Sequence, residues 1–199
     1  MSKFTSKTVS FIAVMAALGN VLSYVSIQLT PLVPSISLGP VSFSLALDLS
    51  HLTTFISSIF GGAYIGGLVG LIGGLVAAFE FGFSKGNILS GIAIPLGKAM
   101  TGVAAGFIFK KYHLELKNYL LVVGTLLSYI PEGIFTYVFF SVIYPIIYPV
   151  YFDIVNIVAI PIIVKASFEM VFLGLILIGF FGNKNFVKYS KDYFFSTEQ

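Results

Sequence analysis

Lys98, Glu132, Lys165 and Glu169 each interrupt an apolar run long enough to cross a bilayer. A charge at that depth is costly, so such residues usually face a bundle interior and pair with each other, with a solute or with an ion. The chemistry they can do is recognition in a polar site inside the bundle. Lys98 lies about 11 residues into its apolar run, roughly 16 Å at helical rise, and Glu132 sits at a similar depth in the next. Pro131 and Gly133 flank Glu132. A proline there removes a helical donor and frees a carbonyl one turn back, so a kink would put polar backbone beside the carboxylate. Lys165 and Glu169 have the i, i+4 spacing of a self-contained ion pair. Lys165 is nearer the outer end of its run and is read as a solute ligand, with Glu169 orienting it. Two lysines suit a carboxylate or phosphate; two acids beside them leave the balance near neutral, so a zwitterion or an uncharged ring fits equally.

Further candidates surround these charges. Tyr129, Tyr137, Tyr144 and Tyr148 offer stacking faces and hydroxyl groups suited to a small heterocycle. Asp48 and His51, three residues apart, share a helix face and are expected to form a local hydrogen-bonded pair, with a solute contact as the alternative.

The elements that must position these residues follow from composition. With 57% hydrophobic and 10% charged residues in 199, and a mean hydropathy of +1.00, the chain is far from a soluble domain, which carries roughly a quarter charged residues. An all-α integral membrane protein is expected, in the cell membrane and multi-pass. Spans are predicted near 8–28, 41–60, 63–79, 87–109, 118–142 and 156–181, each about long enough to cross roughly 30 Å. These six helices form a single domain, 1–199, because no linker longer than a turn separates them; the polar stretch 183–199 is expected to fray.

Lysine sets the orientation. All eleven basic residues are Lys. With the N-terminus in the cytoplasm, the inner segments carry Lys3, Lys7, Lys110, Lys111, Lys117, Lys184, Lys188 and Lys191, and the outer loops only Lys85. Both termini are therefore expected to be cytoplasmic. The first apolar run is too long for a signal-peptide core and no A-x-A site follows it, so it is expected to stay as a helix. The outer segments are turn-rich: Thr30 to Pro40, Glu80 to Gly86, and the aromatic stretch from Tyr144-Pro145 through Tyr148-Pro149 to Asp153. The last is either a lid over a solute or an interfacial anchor.

Several function classes drop out. No Cys is present, which excludes disulfides and thiolate metal sites. There is no G-x-x-x-x-G-K-[ST] loop, and neither His51 nor His113 belongs to an H-E-x-x-H helix. Gly82-Phe83-Ser84-Lys85-Gly86 fits G-x-S-x-G formally, but lies in a loop between membrane helices and not on a strand-to-helix elbow. No enzyme activity, metal, cofactor or nucleic-acid partner is expected.

Two small-residue patterns concern packing. Gly62, Gly66, Gly70 and Gly74 recur every four residues, with Gly61, Gly67 and Gly73 beside them, so one stripe of that helix lets another backbone approach closely. Ala13-x-x-x-Ala17, with Ala16 adjacent, forms a small-residue face on the first span.

In this order of parts the chain resembles the substrate-binding S-component of energy-coupling factor (ECF) transporters. The resemblance rests on Ala13-x-x-x-Ala17, Gly39-Pro40, Leu47-Asp48-Leu49-Ser50, Phe60-Gly61-Gly62, Gly66-Gly67-Leu68-Val69-Gly70 and Pro161-Ile162-Ile163-Val164-Lys165, and covers about Val9 to Phe181. Several members have an Asn between that Pro and Lys, where this chain has only Ile162, Ile163 and Val164. The resemblance implies capture of a water-soluble vitamin or related micronutrient outside the cell. It also implies that Ala13, Ala16 and Ala17 dock onto a transmembrane coupling subunit driven by two ATPases. Which solute is left open. A stand-alone ion-coupled secondary transporter with Glu132 as proton site, and a structural membrane subunit, are the alternatives.

Overall fold

A computed structural model describes residues 5–38, 41–44, 46–111, 118–149 and 152–194. Lys3, Gly39, Pro40, His113 and Lys117 lie outside the described residues. The molecule is almost entirely helical: α1 Ser6–Leu29, α2 Ser50–Gly73, α3 Leu75–Phe81, α4 Ile88–Lys111, α5 Asn118–Ser128, α6 Ile130–Val138, α7 Tyr144–Ile147, α8 Phe152–Gly182 and α9 Lys184–Phe194. A two-stranded antiparallel hairpin, β1 Ser35–Leu38 and β2 Val41–Ser44, joins α1 to α2. Among the described residues, five stretches are long and apolar enough to cross a membrane: Ser6–Leu32, Ser50–Lys85, Ile88–Lys110, Asn118–Ile147 and Val158–Gly182.

The burial pattern is that of a membrane protein. Val14, Phe79, Phe107, Ile134 and Phe168 point outward, each more than half exposed, while Ser50, Thr53, Thr54, Ser57, Ser58, Lys98 and Glu169 are buried. In water so much exposed apolar surface would drive association; against lipid tails it is the expected outer face.

The second stretch does not cross once. Gly62 has φ 76° and ψ −171°, a conformation open in practice only to glycine. The chain turns back there, so that a Cβ on Gly66 would strike Ser58, eight positions earlier in sequence. At the far end of the two arms, Lys98 of α4 meets Ser50 and also approaches Gly74. Residues 50–61 and 63–81 are thus two antiparallel arms, and the expected division between spans at 60 and 63 falls at the reversal.

The glycine stripe packs the returning arm onto α4, backbone against backbone. A Cβ on Gly66 would lie 2.8 Å from the Gly102 carbonyl oxygen, and one on Gly74 would lie 3.1 Å from the Pro95 Cα. On the opposite side, Gly19 of α1 approaches Gly73. Asn20 of α1 fills the break between α2 and α3: its amide donates to the Ile72 carbonyl at 2.9 Å and accepts from the Val76 N–H at 2.9 Å. One side chain thereby satisfies the two backbone groups that an unbroken helix would have paired with each other.

The fifth predicted span is interrupted. α5 ends at Ser128, Tyr129 is a turn, and α6 restarts with Pro131 at its N-terminus. α5 packs against α8, where the Thr125 hydroxyl donates to the Met170 carbonyl at 2.9 Å, and Leu121, Met170, Leu173 and Leu177 fill the core with Phe55 and Val69.

Three expectations need correction. Residues 41–44 are strand and 46–49 are non-helical, so the second helix begins only at Ser50. The alternation Ser35-Ile36-Ser37-Leu38 and Val41-Ser42-Phe43-Ser44 has the period of a strand. The tail does not fray from 183: α9 forms, capped by the Asn183 carboxamide, which accepts from the Asn185 and Phe186 N–H groups. Phe186 holds it against Phe60, Phe180 and Phe181. Finally, the aromatic outer segment is not a loop throughout, since Tyr144–Ile147 is helical and Asp153 belongs to α8.

Candidate functional site

α4, α6 and α8, with the segment ahead of α2, enclose a cavity of about 500 Å³ at the end of the bundle where β1 and β2 lie. Asp48, His51, Lys98, Tyr129, Glu132, Lys165 and Glu169 all line it. Residues singled out for cost at membrane depth thus converge from separate helices on one space of a size that suits a small solute.

The partners of Lys98 and Asp48 differ from those expected from the sequence. Lys98, 3% exposed, reaches Asp48 rather than Glu132: Nζ lies 2.7 Å from Oδ2. Lys98 also donates to the Ser50 hydroxyl, which in turn donates to Asp48 Oδ1 at 2.6 Å. Asp48 precedes α2 instead of sharing its face with His51, so the expected Asp48–His51 pair is replaced by this three-membered cluster. Burial works against a charge on Asp48, but the Lys98 ammonium, His51 and the two hydrogen bonds outweigh it and hold the carboxyl below the usual carboxylate range.

Lys165 and Glu169 do form the i, i+4 pair, at 2.7 Å. Lys165 also donates to the Ala46 carbonyl at 3.1 Å. Both cavity lysines therefore tie the 46–49 segment to the bundle, Lys98 through Asp48 and Lys165 through Ala46, and the Leu49 N–H adds a bond to Ser26.

Glu132 is placed differently. It occupies the first turn of α6, where helix geometry favours an acidic side chain. Thr101 of α4 donates to its Oε2 at 2.5 Å, and His51 Nε2 stands 3.9 Å from Oε1. Gly97 leaves the room it needs: a Cβ there would lie 3.1 Å from Glu132 Cγ. His51 Nδ1 is buried and has no hydrogen-bond partner among the described residues.

The apolar wall comes from α6 and the π-helical turn Phe139–Ile143 that follows it. Glu132, Phe135, Thr136 and Phe139 have the spacing of one helix face and all line the cavity, joined by Phe140. Tyr137 falls off that face; it is 46% exposed and borders a shallow outer groove with Ile130 and Ile134. Tyr144 is not in the cavity wall either. Its hydroxyl accepts from the Asn87 carboxamide at 2.9 Å, and its ring continues an aromatic path from Phe139 to Tyr148.

Sequence reasoning missed Thr101, Ser50 and the three phenylalanines. Thr101 had a signal, three residues after Lys98 on the same helix face. On α1, Ala13 and Ala17 are exposed whereas Ala16 is 2% exposed and lies against Gly73, so Ala16 does not belong to the outward face. Comparison with protein-family models, curated proteins and solved structures finds no match to the chain.

Proposed function

We propose that this chain is the solute-binding S-component of an ECF-type transporter, taking a vitamin-like micronutrient from outside the cell for uptake driven by a partner module. The observation that carries the reading is the cavity of about 500 Å³ lined by charged groups from separate helices, all at one end of an otherwise apolar bundle. The turn at Gly62 supports it: counting residues 50–61 and 63–81 as separate passes gives six, an even number that agrees with the lysine distribution in putting both termini on the cytoplasmic side in this reading. The outward face of Ala13 and Ala17 is smooth enough for a coupling subunit's helix to approach closely.

The observation that favours a secondary carrier instead is Glu132, which has a hydroxyl and an imidazole near it but, among the described residues, no lysine within ion-pair distance. One experiment separates the readings. Ala13→Trp and Ala17→Trp are expected to abolish co-purification with a transmembrane coupling subunit and its ATPases while leaving the isolated chain folded. A carrier working alone would lack those partners in the unaltered protein as well, and unchanged co-purification in both variants would remove the docking face.

A further inference from the structure

Among the described residues, the ammonium groups around the cavity are fewer than its carboxylates. Asp48, Glu132 and Glu169 face only two ammonium groups, and both are committed: Lys98 to Asp48 at 2.7 Å and Lys165 to Glu169 at 2.7 Å. Glu132 has no ammonium partner among the described residues. The His51 imidazole stands beside it, Nε2 at 3.9 Å and beyond hydrogen-bond length, and the neutral Thr101 hydroxyl donates to it at 2.5 Å. A polar atom on the same wall lacks a hydrogen-bond partner among the described residues: His51 is 4% exposed, and its Nδ1 is unbonded. Beside these two stand Phe135, Phe139 and Phe140.

We propose that the solute is an organic monocation with a flat, largely apolar body. Its positive group sits against Glu132, a polar edge meets His51 Nδ1, and its ring lies on the phenylalanine wall, where aromatic faces attract a cation. This deepens the reading of the cavity as a solute site and rests on it. An anionic solute fits less well, because each ammonium is already matched by a carboxylate at 2.7 Å, so the added negative charge would have no counter-charge of its own. A cation is met instead by Glu132, the cavity carboxylate without an ammonium partner among the described residues.

The test uses the full chain in lipid nanodiscs and three probes that share one bicyclic ring: N-methylquinolinium, quinoline and quinoline-2-carboxylate, read by thermal shift and calorimetry near neutral pH. The cation is expected to stabilise the protein at millimolar concentration, quinoline less and the carboxylate not at all. Glu132→Gln should weaken cation binding by about tenfold or more, the loss of one charge-assisted contact, with quinoline little changed. Equal or tighter binding of the carboxylate, no binding of the cation, or an unchanged cation affinity in a folded Glu132→Gln variant overturns the proposal. The ranking of the probes is read on the unaltered chain, so it decides the matter even if the variant does not fold. The two levels fail separately: cation binding without an ATPase partner removes the S-component reading alone, whereas an intact coupling complex on a chain that prefers the carboxylate removes only the cation.

Discussion

Lys98 is joined to Asp48 across fifty positions of sequence, Nζ to Oδ2 at 2.7 Å, and both line the cavity, with Ser50 bonded to each. The pair fixes where α2 begins, because the same carboxylate accepts from the Ser50 N–H at 3.1 Å. A residue that the sequence offers as a solute ligand is thus also a clamp on the segment between the β-hairpin and α2.

Breaking that clamp from one side should cost more than removing it. Lys98→Met leaves a carboxylate without its cation, a change that costs about 3–5 kcal/mol for a fully buried pair. Asp48 is 31% exposed, so water takes up part of that loss. Lys98→Met with Asp48→Asn is expected to recover most of the melting temperature. The pH dependence has a definite sign. The folded-state carboxyl titrates below its unfolded range, so its contribution is fully present above the ordinary value of about 3.9 and is lost as pH falls below it. The melting-temperature deficit of Asp48→Asn should therefore be constant between about pH 5 and 8 and shrink under about pH 4. A deficit that vanishes nearer neutrality would show that the pair does not hold the segment.

Lys165 and Glu169 provide the matching test on α8. Lys165→Met is expected to destabilise the chain by leaving Glu169, 6% exposed, without a partner. Lys165→Met with Glu169→Gln should restore the melting temperature, since the two sites couple directly. Solute affinity measured on the same variants separates structure from recognition: a loss of about tenfold that persists in the stable double variant would place the solute on Lys165 itself.

Why the cavity lining was so legible is a matter of cost. A lysine or glutamate within an apolar run has few reasons to be there, so Lys98, Glu132, Lys165 and Glu169 announce themselves. The Lys165–Glu169 pair was legible from its spacing, but the partner of Lys98 was not, because Asp48 reaches it only after the chain has formed a hairpin that a 20-residue hydropathy average conceals. The phenylalanines escaped for the opposite reason: among 21 of them, type says nothing, and only spacing from Glu132 picks out Phe135 and Phe139 from the lipid-facing rest. The same spacing, applied to Tyr137, would have kept it out of the candidate site. Ala16 likewise differs from Ala13 and Ala17 by its position on the helix, not by its size.

Gly62 carries the last prediction. If the chain reverses there, the hairpin and the Phe83–Lys85 turn lie on one side of the membrane, with Tyr64 and α9 on the other. The chain has no native Cys, so single replacements report without background. Ser35→Cys and Ser84→Cys should react with an impermeant thiol reagent in intact cells; Tyr64→Cys and Asn185→Cys, at exposed positions, should react only after permeabilisation. A single crossing by residues 50–85 would put Ser35 and Ser84 on opposite sides and leave only one of them labelled. Gly62→Ala, forced into φ 76°, should cost about 1–3 kcal/mol of stability without changing the labelling pattern, because the returning arm remains held by the Gly66 and Gly70 contacts with α4.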